Sequence, residues 1–140
     1  RLGYGVGPAP LIRALEQARQ PFNLNLLAQV AGTAALGDQE FVARNRELCR
    51  QGKAEFESAC TKLKLRFIPA HANFILIEVG DGAAVAKKLQ LEGVITRPMG
   101  GYGLGQYLRI SFGSTEENER CLSALARVIG HDRTASLPGP

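Results

Sequence analysis

Two arginines near the carboxyl end of the chain could bind an anion. Arg97 and Arg109 flank a connection that carries glycines at positions 100, 101, 103 and 105. A guanidinium presents five N–H donors in a fixed fork that matches the oxygens of a carboxylate or a phosphate. Glycine permits positive φ and lets a ligand approach the backbone, but flexible surface loops have the same composition. The spacing therefore leaves two interpretations open, an anion site and a solvated strand face.

Both arginines are expected to project from β-strands. Apolar and polar residues alternate over 107–112, which puts Arg109 on the polar face of a half-buried strand. Arg97 follows the strand-like run 94–96, and Pro98 favours extended backbone at the residue before it. The pattern predicts that Arg97 ends one strand of a sheet and that Arg109 lies within another.

The composition excludes several classes of protein. The chain has 140 residues, of which 45% are apolar, and its 17 basic and 13 acidic residues give a formal net charge of +4. It can bury a sizeable core, and because its positive charges are scattered, we expect a small anion as its partner and not a nucleic acid. No apolar run approaches the roughly 20 residues that span a bilayer, and the start lacks the apolar region of a signal peptide. The sequence therefore predicts a soluble, cytoplasmic protein with no membrane partner.

The three cysteines indicate neither a disulfide nor a metal site. Cys49 and Cys60 fall in one predicted helix, and their separation at 1.5 Å rise per residue is about 16 Å, beyond disulfide reach. Cys121 is the third, and the sequence has no C-x-x-C pair and no clustered histidines, so a zinc site is not supported. We expect buried free thiols and no metal.

Hydrophobic periodicity predicts a helical first half and a β-α-β-β-α second half. Helices are expected to begin at N-caps Asp38 and Asp81 and at a capping box formed by Ser114 and Glu117. This layout predicts an α+β fold in which helices cover a small, mostly antiparallel sheet, with 73–79 as a covered central strand. The predicted helices are 11–19, one that starts at residue 24 or 25 and runs to 36, 39–63, 83–92 and 115–130. The predicted strands are 2–6, 65–68, 73–79, 94–97 and 107–112.

Six short motifs, taken in order, resemble the C-terminal part of histidinol-phosphate aminotransferase. Each motif is weak alone, but their order over nearly the whole chain is specific. The motifs are RLGYG at 1–5, PFNLN at 21–25, ANF at 72–74, GVITRP at 93–98, GYG at 101–103 and LRIS at 108–111.

The resemblance implies a fold, a cofactor and a division into domains. Such enzymes are fold-type I, pyridoxal 5'-phosphate-dependent homodimers whose last segment forms a small domain that closes over a cofactor held by a large domain. Residues 1–37 would belong to the large domain, 38–64 to a long connecting helix, 65–130 to the small α+β domain and 131–140 to a loose tail. The family's Schiff-base lysine precedes the arginine that matches Arg1, so we expect a fragment that is inactive alone. None of the lysines in this chain lies in a matching motif: Lys53, Lys62, Lys64, Lys87 and Lys88.

The same resemblance implies roles for three arginines. Arg1 matches the arginine that binds the cofactor phosphate, although a first residue can also be frayed. Arg109 matches the arginine that anchors the acidic end of the substrate, and Arg97 matches a second arginine that helps to hold the substrate phosphate. The alternative for both is a structural ion pair. Asn73 and Tyr102 also match motif positions, and we expect them to be structural, with Tyr102 packed over the glycine loop.

The implied activity of the complete protein is transamination between histidinol phosphate and 2-oxoglutarate, which yields glutamate, in histidine biosynthesis. This segment would contribute substrate-anion binding and domain closure. One alternative is a related aminotransferase or decarboxylase that acts on an aromatic amino acid or on phosphothreonine. Another alternative is a free-standing anion-binding or interaction module without catalysis.

Overall fold

The computed structural model describes the backbone of residues 2–135 and the side chains of residues 2–130. The chain separates into two units, residues 1–43 and residues 44–140. Arg1 and residues 136–140 of the expected loose tail lie outside the described residues. No helix among residues 2–135 combines the length and the apolar character needed to cross a membrane.

The first unit is helical. Helix α1 spans Ala9–Ala18 and carries a proline in its first turn. The N–H groups of the first turn have no hydrogen-bond partner within the helix, so the missing N–H of proline costs no hydrogen bond there. Helix α2 spans Leu26–Gly37, and the Asn25 side chain caps it by accepting a hydrogen bond from the Ala28 N–H at 2.8 Å. Residues 2–8 form neither helix nor strand, so the predicted strand 2–6 is wrong. The described part of this unit offers no second strand with which that backbone could pair.

A long helix, α3, spans Gln39–Lys62. Asp38 caps it as predicted, because its Oδ1 atom accepts a hydrogen bond from the Phe41 N–H at 2.9 Å. The turns of α3 that belong to the second unit supply its buried residues, Gly52, Phe56 and Cys60.

The second unit is built on a four-stranded antiparallel sheet. Its strands are β1, Phe67–Ile68; β2, Phe74–Glu78; β3, Arg97–Met99; and β4, Leu104–Ser111. Their order across the sheet is β1-β2-β4-β3. Helix α4, Gly82–Leu91, connects β2 to β3, and helix α5, Thr115–Ala135, follows β4. This arrangement confirms the predicted α+β fold with a small antiparallel sheet.

The core of this unit lies on one face of the sheet. Ile75 and Ile77 of β2 and Leu108 and Ile110 of β4 are buried among residues of three helices. The other face of β2 is half-buried, so this strand is central in the sheet but fully covered on one face only. The helices contribute Phe56 and Cys60 from α3, Val85 and Leu89 from α4, and Cys121, Ala124, Leu125 and Val128 from α5.

The predicted caps of α4 and α5 are confirmed, but one predicted helix end is not. The Asp81 carboxylate accepts hydrogen bonds from two N–H groups in the first turn of α4, both at 3.0 Å. Ser114 and Glu117 form the capping box, with bonds of 2.8 and 3.3 Å. Helix α5 runs to Ala135 instead of ending at Gly130. A glycine inside a helix lowers its stability by only about 1 kcal/mol relative to alanine, so it need not end the helix.

Candidate anion-binding site

The two predicted arginines lie opposite each other on neighbouring strands. In the antiparallel pairing of β3 with β4, Arg97 is the cross-strand partner of Arg109. Directly opposed residues share one face of a sheet, with their Cβ atoms about 4.5–5.5 Å apart. The sheet therefore brings the two guanidinium groups to one place.

Arg97 begins its strand, whereas the sequence predicted that it would end one. The Val94 N–H donates a hydrogen bond to the Leu89 carbonyl oxygen at 2.9 Å, which ties residues 94–96 to the end of α4 and keeps them out of the sheet. The register also shifts between Pro98 and Met99, because proline has no N–H to donate to the ladder. Strand β3 is therefore a short, irregular edge strand that starts at Arg97.

Neither arginine has a negatively charged partner in the described part of the chain. No carboxylate described there forms an ion pair with Arg97 or with Arg109. Arg97 is exposed, and Arg109 is half-buried. Like charges that face each other directly across a sheet are destabilising. The pair is thus not the structural ion pair of the alternative interpretation, and its charge favours an anion supplied from elsewhere.

An aromatic ring holds one of the two guanidinium groups. The Cζ atom of Arg109 lies over the ring of Phe74 on β2, 5.2 Å from the ring centroid. The Nε atom of Arg109 is buried and has no hydrogen-bond partner among the described residues. Arg109 is therefore fixed by packing, and no described residue accepts a hydrogen bond from its Nε donor.

Both arginines line an open depression of about 650 Å³. Its walls are residues 93–98, the end of β4 with the turn after it, and the first turns of α5. Arg120 of α5 adds a third guanidinium to the lining. Glu117 is the one carboxylate described in the lining, and it already accepts the Ser114 N–H at 2.8 Å. No described lysine lines the depression. It therefore offers guanidinium N–H donors that can bind an anion, but no amine nucleophile.

The turn that follows β4 is fixed by a buried asparagine. Asn118 is buried; its Oδ1 atom accepts the Gly113 N–H at 2.9 Å, and its Nδ2 atom donates to Glu55 of α3 at 2.9 Å. Helix α3 approaches the same turn closely, because a Cβ atom on Gly52 would lie 2.8 Å from the Phe112 Cβ. These contacts attach the end of β4, and with it the strand that carries Arg109, to α3.

The glycine-rich connection between β3 and β4 is exposed at residues 100–103. It forms a short 3-10 turn at Gly100–Tyr102, and Gly103 adopts φ 74°, a conformation that favours glycine. Tyr102 is 67% exposed, so the prediction that it packs over the glycine loop is wrong. With glycines on both sides, no described side chain covers the ring.

The other predicted residues are structural or lie outside the described chain. Arg1 is outside it. The Asn73 carbonyl oxygen accepts the Phe112 N–H at 2.9 Å, which agrees with a structural role. Burial raises the pKa of the Cys60 and Cys121 thiols to about 11, so both stay protonated, and all three cysteines are free. No group of potential metal ligands occurs among the described residues.

Sequence reasoning missed Phe74, Asn118 and Arg120. The signal for Phe74 was present, since alternation along 73–79 puts it on the face opposite Ile75 and Ile77. The strand pairing was needed to bring that face beside Arg109. Asn118 and Arg120 sit in the predicted helix without a pattern that separates them from ordinary polar helix residues.

Comparison with known proteins identifies related chains. The family model described as "Aminotransferase class I and II" matches residues 1–125. Histidinol-phosphate aminotransferase 2 of Ralstonia nicotianae is 45% identical over 140 residues, which cover 97% of this chain and 37% of that protein. This chain therefore spans a little over a third of that relative's length.

Two solved structures share the fold. The histidinol-phosphate aminotransferase from Clostridium acetobutylicum superposes with a TM-score of 0.75 at 21% identity, over 87% of this chain and 38% of that one. The histidinol-phosphate aminotransferase from Sinorhizobium meliloti, solved in complex with pyridoxal-5'-phosphate, superposes with a TM-score of 0.64 at 22% identity, over 85% of this chain and 34% of that one.

Proposed function

We propose the following function for this chain, which belongs to the class I and II aminotransferases. The complete protein transfers an amino group between histidinol phosphate and 2-oxoglutarate, with pyridoxal 5'-phosphate as its cofactor. The segment described above binds the anionic end of the substrate. The observation that carries this proposal is that Arg97 and Arg109 lie opposite each other in the lining of a cationic depression, and that neither forms an ion pair with a described carboxylate.

The cofactor, when bound, supplies the electron sink for transamination. The described residues do not fit a complete cofactor site, because no described lysine lines the depression. They do fit the recognition of a substrate anion. We therefore assign most of the cofactor binding to other parts of the complete protein, and we propose Arg1 as a residue of this chain that binds the cofactor phosphate.

The two arginines differ in what they can contribute to substrate binding. Arg109 is half-buried and fixed against Phe74, so it can anchor any anionic end group in one orientation. Arg97 is exposed and more adaptable, so it can add donors to the further oxygen atoms of a phosphate. Both substrates of the proposed reaction carry such an end group, a phosphate in histidinol phosphate and a second carboxylate in 2-oxoglutarate.

The remaining expectations belong to the complete protein. We propose a homodimer in the cytoplasm in which residues 65–130 act as a small domain that closes on the substrate. Residues 1–37 would then belong to the large domain, and 38–64 would form the connecting helix. The sequence relatives named above support the assignment to this family of enzymes. The antiparallel sheet with its helices agrees with the fold of a small α+β domain.

The proposal is tested by substitution in the full-length protein that carries this chain. A hydrogen bond to a charged group contributes about 1.5–3 kcal/mol, so Arg97→Ala should lower kcat/KM for histidinol phosphate roughly ten- to a hundredfold. Arg109→Lys keeps the charge but loses the fork, and should recover only part of the activity. Arg127→Ala is the matched control, because Arg127 lies on α5, pairs with Glu92 at 2.8 Å and does not line the depression.

Two outcomes would contradict the assignment. If Arg97→Ala and Arg127→Ala have the same small effect on kcat/KM, Arg97 does not bind the substrate phosphate. If the complete protein turns over an aromatic amino acid and not histidinol phosphate, the family assignment stands but the substrate is wrong. Histidinol without its phosphate provides the internal check, since the wild-type protein and Arg97→Ala should use it about equally poorly.

A further inference from the structure

The aromatic ring of Phe74 lies against the guanidinium group of Arg109, with the ring centroid 5.2 Å from the Cζ atom. The sheet explains this contact: Phe74 pairs with Ser111 and Leu76 pairs with Arg109, so Phe74 is the diagonal neighbour of Arg109 on the same face. Diagonal neighbours across an antiparallel pair are about 7–8 Å apart at their backbones, which an aromatic ring can bridge.

A ring orients a guanidinium in a way that a carboxylate cannot. A carboxylate partner would fix the group but would occupy its donors and cancel its charge. The face of an aromatic ring attracts the cation through its quadrupole and accepts none of the N–H donors. Arg109 forms no ion pair with the described carboxylates, so the contact with Phe74 leaves its charge available to a ligand.

The burial of one nitrogen further restricts the orientation of the group. The Nε atom of Arg109 is buried and has no hydrogen-bond partner among the described residues. With Nε turned into the protein and one face against the ring, the terminal Nη atoms are the donors that a ligand in the depression can reach. The Arg109 side chain is thus held so that the edge with the Nη atoms is the one available to a ligand in the depression.

We propose that Phe74 is a positioning residue for the anion site: its ring holds the Arg109 guanidinium in the orientation that receives the anion. This inference rests on the proposed function, because it assumes that Arg109 binds an anionic end group. Phe74 does not touch the anion in this assignment and acts only through Arg109.

The experiment uses the full-length protein that carries this chain, with inorganic phosphate as the probe. Phosphate is titrated while the Arg109 Nε–H resonance is followed by NMR, and the resonance is assigned by its loss in Arg109→Lys. Phe74→Leu keeps an apolar side chain but removes the ring, and we expect the Kd for phosphate to rise about three- to tenfold, as a partly desolvated cation–π contact implies. Phe74→Tyr restores a ring and should bind within about twofold of wild type.

A matched control separates positioning from packing. Phe67→Leu makes the same change on β1, where the half-buried Phe67 packs against the core and pairs with Ile77 on the opposite face from Arg109. It should lose stability without a change in Kd. The Arg109 Nε–H chemical shift provides a second measurement, because the ring current that displaces it should vanish in Phe74→Leu and persist in Phe67→Leu.

The possible results lead to different conclusions. If wild type binds phosphate and Phe74→Leu binds it equally well, the positioning role is overturned while the anion site stands. If Phe74→Leu and Phe67→Leu weaken binding alike, Phe74 contributes only to folding, and the role is again overturned. If wild type binds no phosphate and Arg97→Ala behaves identically, the anion site itself fails, and the role of Phe74 fails with it.

Discussion

At the level of single residues, the opposed guanidinium groups of Arg97 and Arg109 carry an electrostatic cost. They are cross-strand partners, and no described carboxylate is paired with either. Directly opposed like charges destabilise a sheet by an amount comparable to the roughly 0.2–1 kcal/mol of a favourable pair. A bound anion would remove that cost. The free energy of unfolding of the ligand-free protein is therefore lowered by the repulsion between the two arginines.

Removing one charge should therefore stabilise the ligand-free chain. At low ionic strength we expect Arg97→Ala to raise the free energy of unfolding by up to about 1 kcal/mol, measured by urea denaturation. Arg127→Ala, which breaks the surface pair with Glu92, should instead lower it by about 0.2–1 kcal/mol. Added phosphate should stabilise the wild-type chain more than Arg97→Ala. A loss of stability in Arg97→Ala as large as that in Arg127→Ala would mean that Arg97 has a structural partner.

The two buried thiols make stability depend on alkaline pH. Burial raises the pKa of Cys60 and of Cys121 from 9.0 to about 11, and the Glu57 carboxylate adds to the rise for Cys60. The folded state holds the thiol protons more tightly than the unfolded chain does. The contribution of the two protonated thiols to the free energy of unfolding is therefore complete below about pH 9 and is lost as the pH rises through 11. The free energy of unfolding should fall over that interval, and less steeply in Cys121→Ala. Equal slopes for both proteins would show that the thiol does not titrate on unfolding.

At the level of secondary-structure elements, the sequence predicted those features that local chemistry determines. The caps at Asp38, Asp81 and Ser114 were predictable because a short polar side chain before an apolar helical repeat satisfies free N–H groups at that point. The α+β layout followed from the change of hydrophobic period after residue 64. Where the sequence failed, at 2–6 and 94–96, a strand-like composition found no partner strand, and pairing is not encoded locally.

The candidate site was predictable to the same extent. Alternation along β4 and the position of Pro98 placed both arginines near a sheet, but only the pairing of β3 with β4 made them direct partners. The contact of Phe74 with Arg109 depends on the register of β2 against β4, which a single sequence does not specify. The depression is lined by three separate segments, within 93–98, 109–113 and 117–121, so it had no local signature.

The close approach of α3 to the turn after β4 requires glycine at position 52. A Cβ atom there would lie 2.8 and 2.9 Å from Phe112 side-chain atoms and 3.2 Å from Nδ2 of Asn118. Gly52→Ala should therefore lower the free energy of unfolding by about 1–3 kcal/mol, even though alanine is the better helix former. Gly130→Ala is the control, since no described atom beyond its chain neighbours and the adjacent helix backbone lies within 4 Å of its Cβ position, and it should be neutral or stabilising. Equal effects of the two substitutions in thermal unfolding would refute the steric argument.

At the level of the whole molecule, the first unit exposes an unusual amount of apolar surface. Neither α1 nor α2 buries a residue within the described chain, although α2 is apolar on all sides. A helix that is hydrophobic around its whole circumference is normally buried. The chain covers 37% of its relative from Ralstonia nicotianae, and we expect the rest of the complete protein to cover these helices. The apolar side chains exposed there include Leu26, Leu27, Val30 and Leu36 of α2 and Phe22 before it.

The isolated chain should therefore self-associate. Size-exclusion chromatography with light scattering should show species larger than the 15.1 kDa monomer at micromolar concentration. Leu27→Glu places a charge on α2 and should shift the chain towards monomer, whereas Gln29→Glu on the same helix should not. A clean wild-type monomer, with α2 as strongly protected from hydrogen exchange as β2 and β4, would contradict this expectation.

The two edges of the sheet determine what form such association can take. Strand β1 has two residues and is followed by Pro69, and β3 contains Pro98 and a break in register. An incoming strand from another molecule needs a regular row of free N–H and C=O groups, which proline interrupts. Clusters of this chain would thus have no template for cross-β growth. They should remain finite, show the circular dichroism spectrum of a helical protein and cause no rise in thioflavin T fluorescence, so that association through the exposed helices could still be reversed.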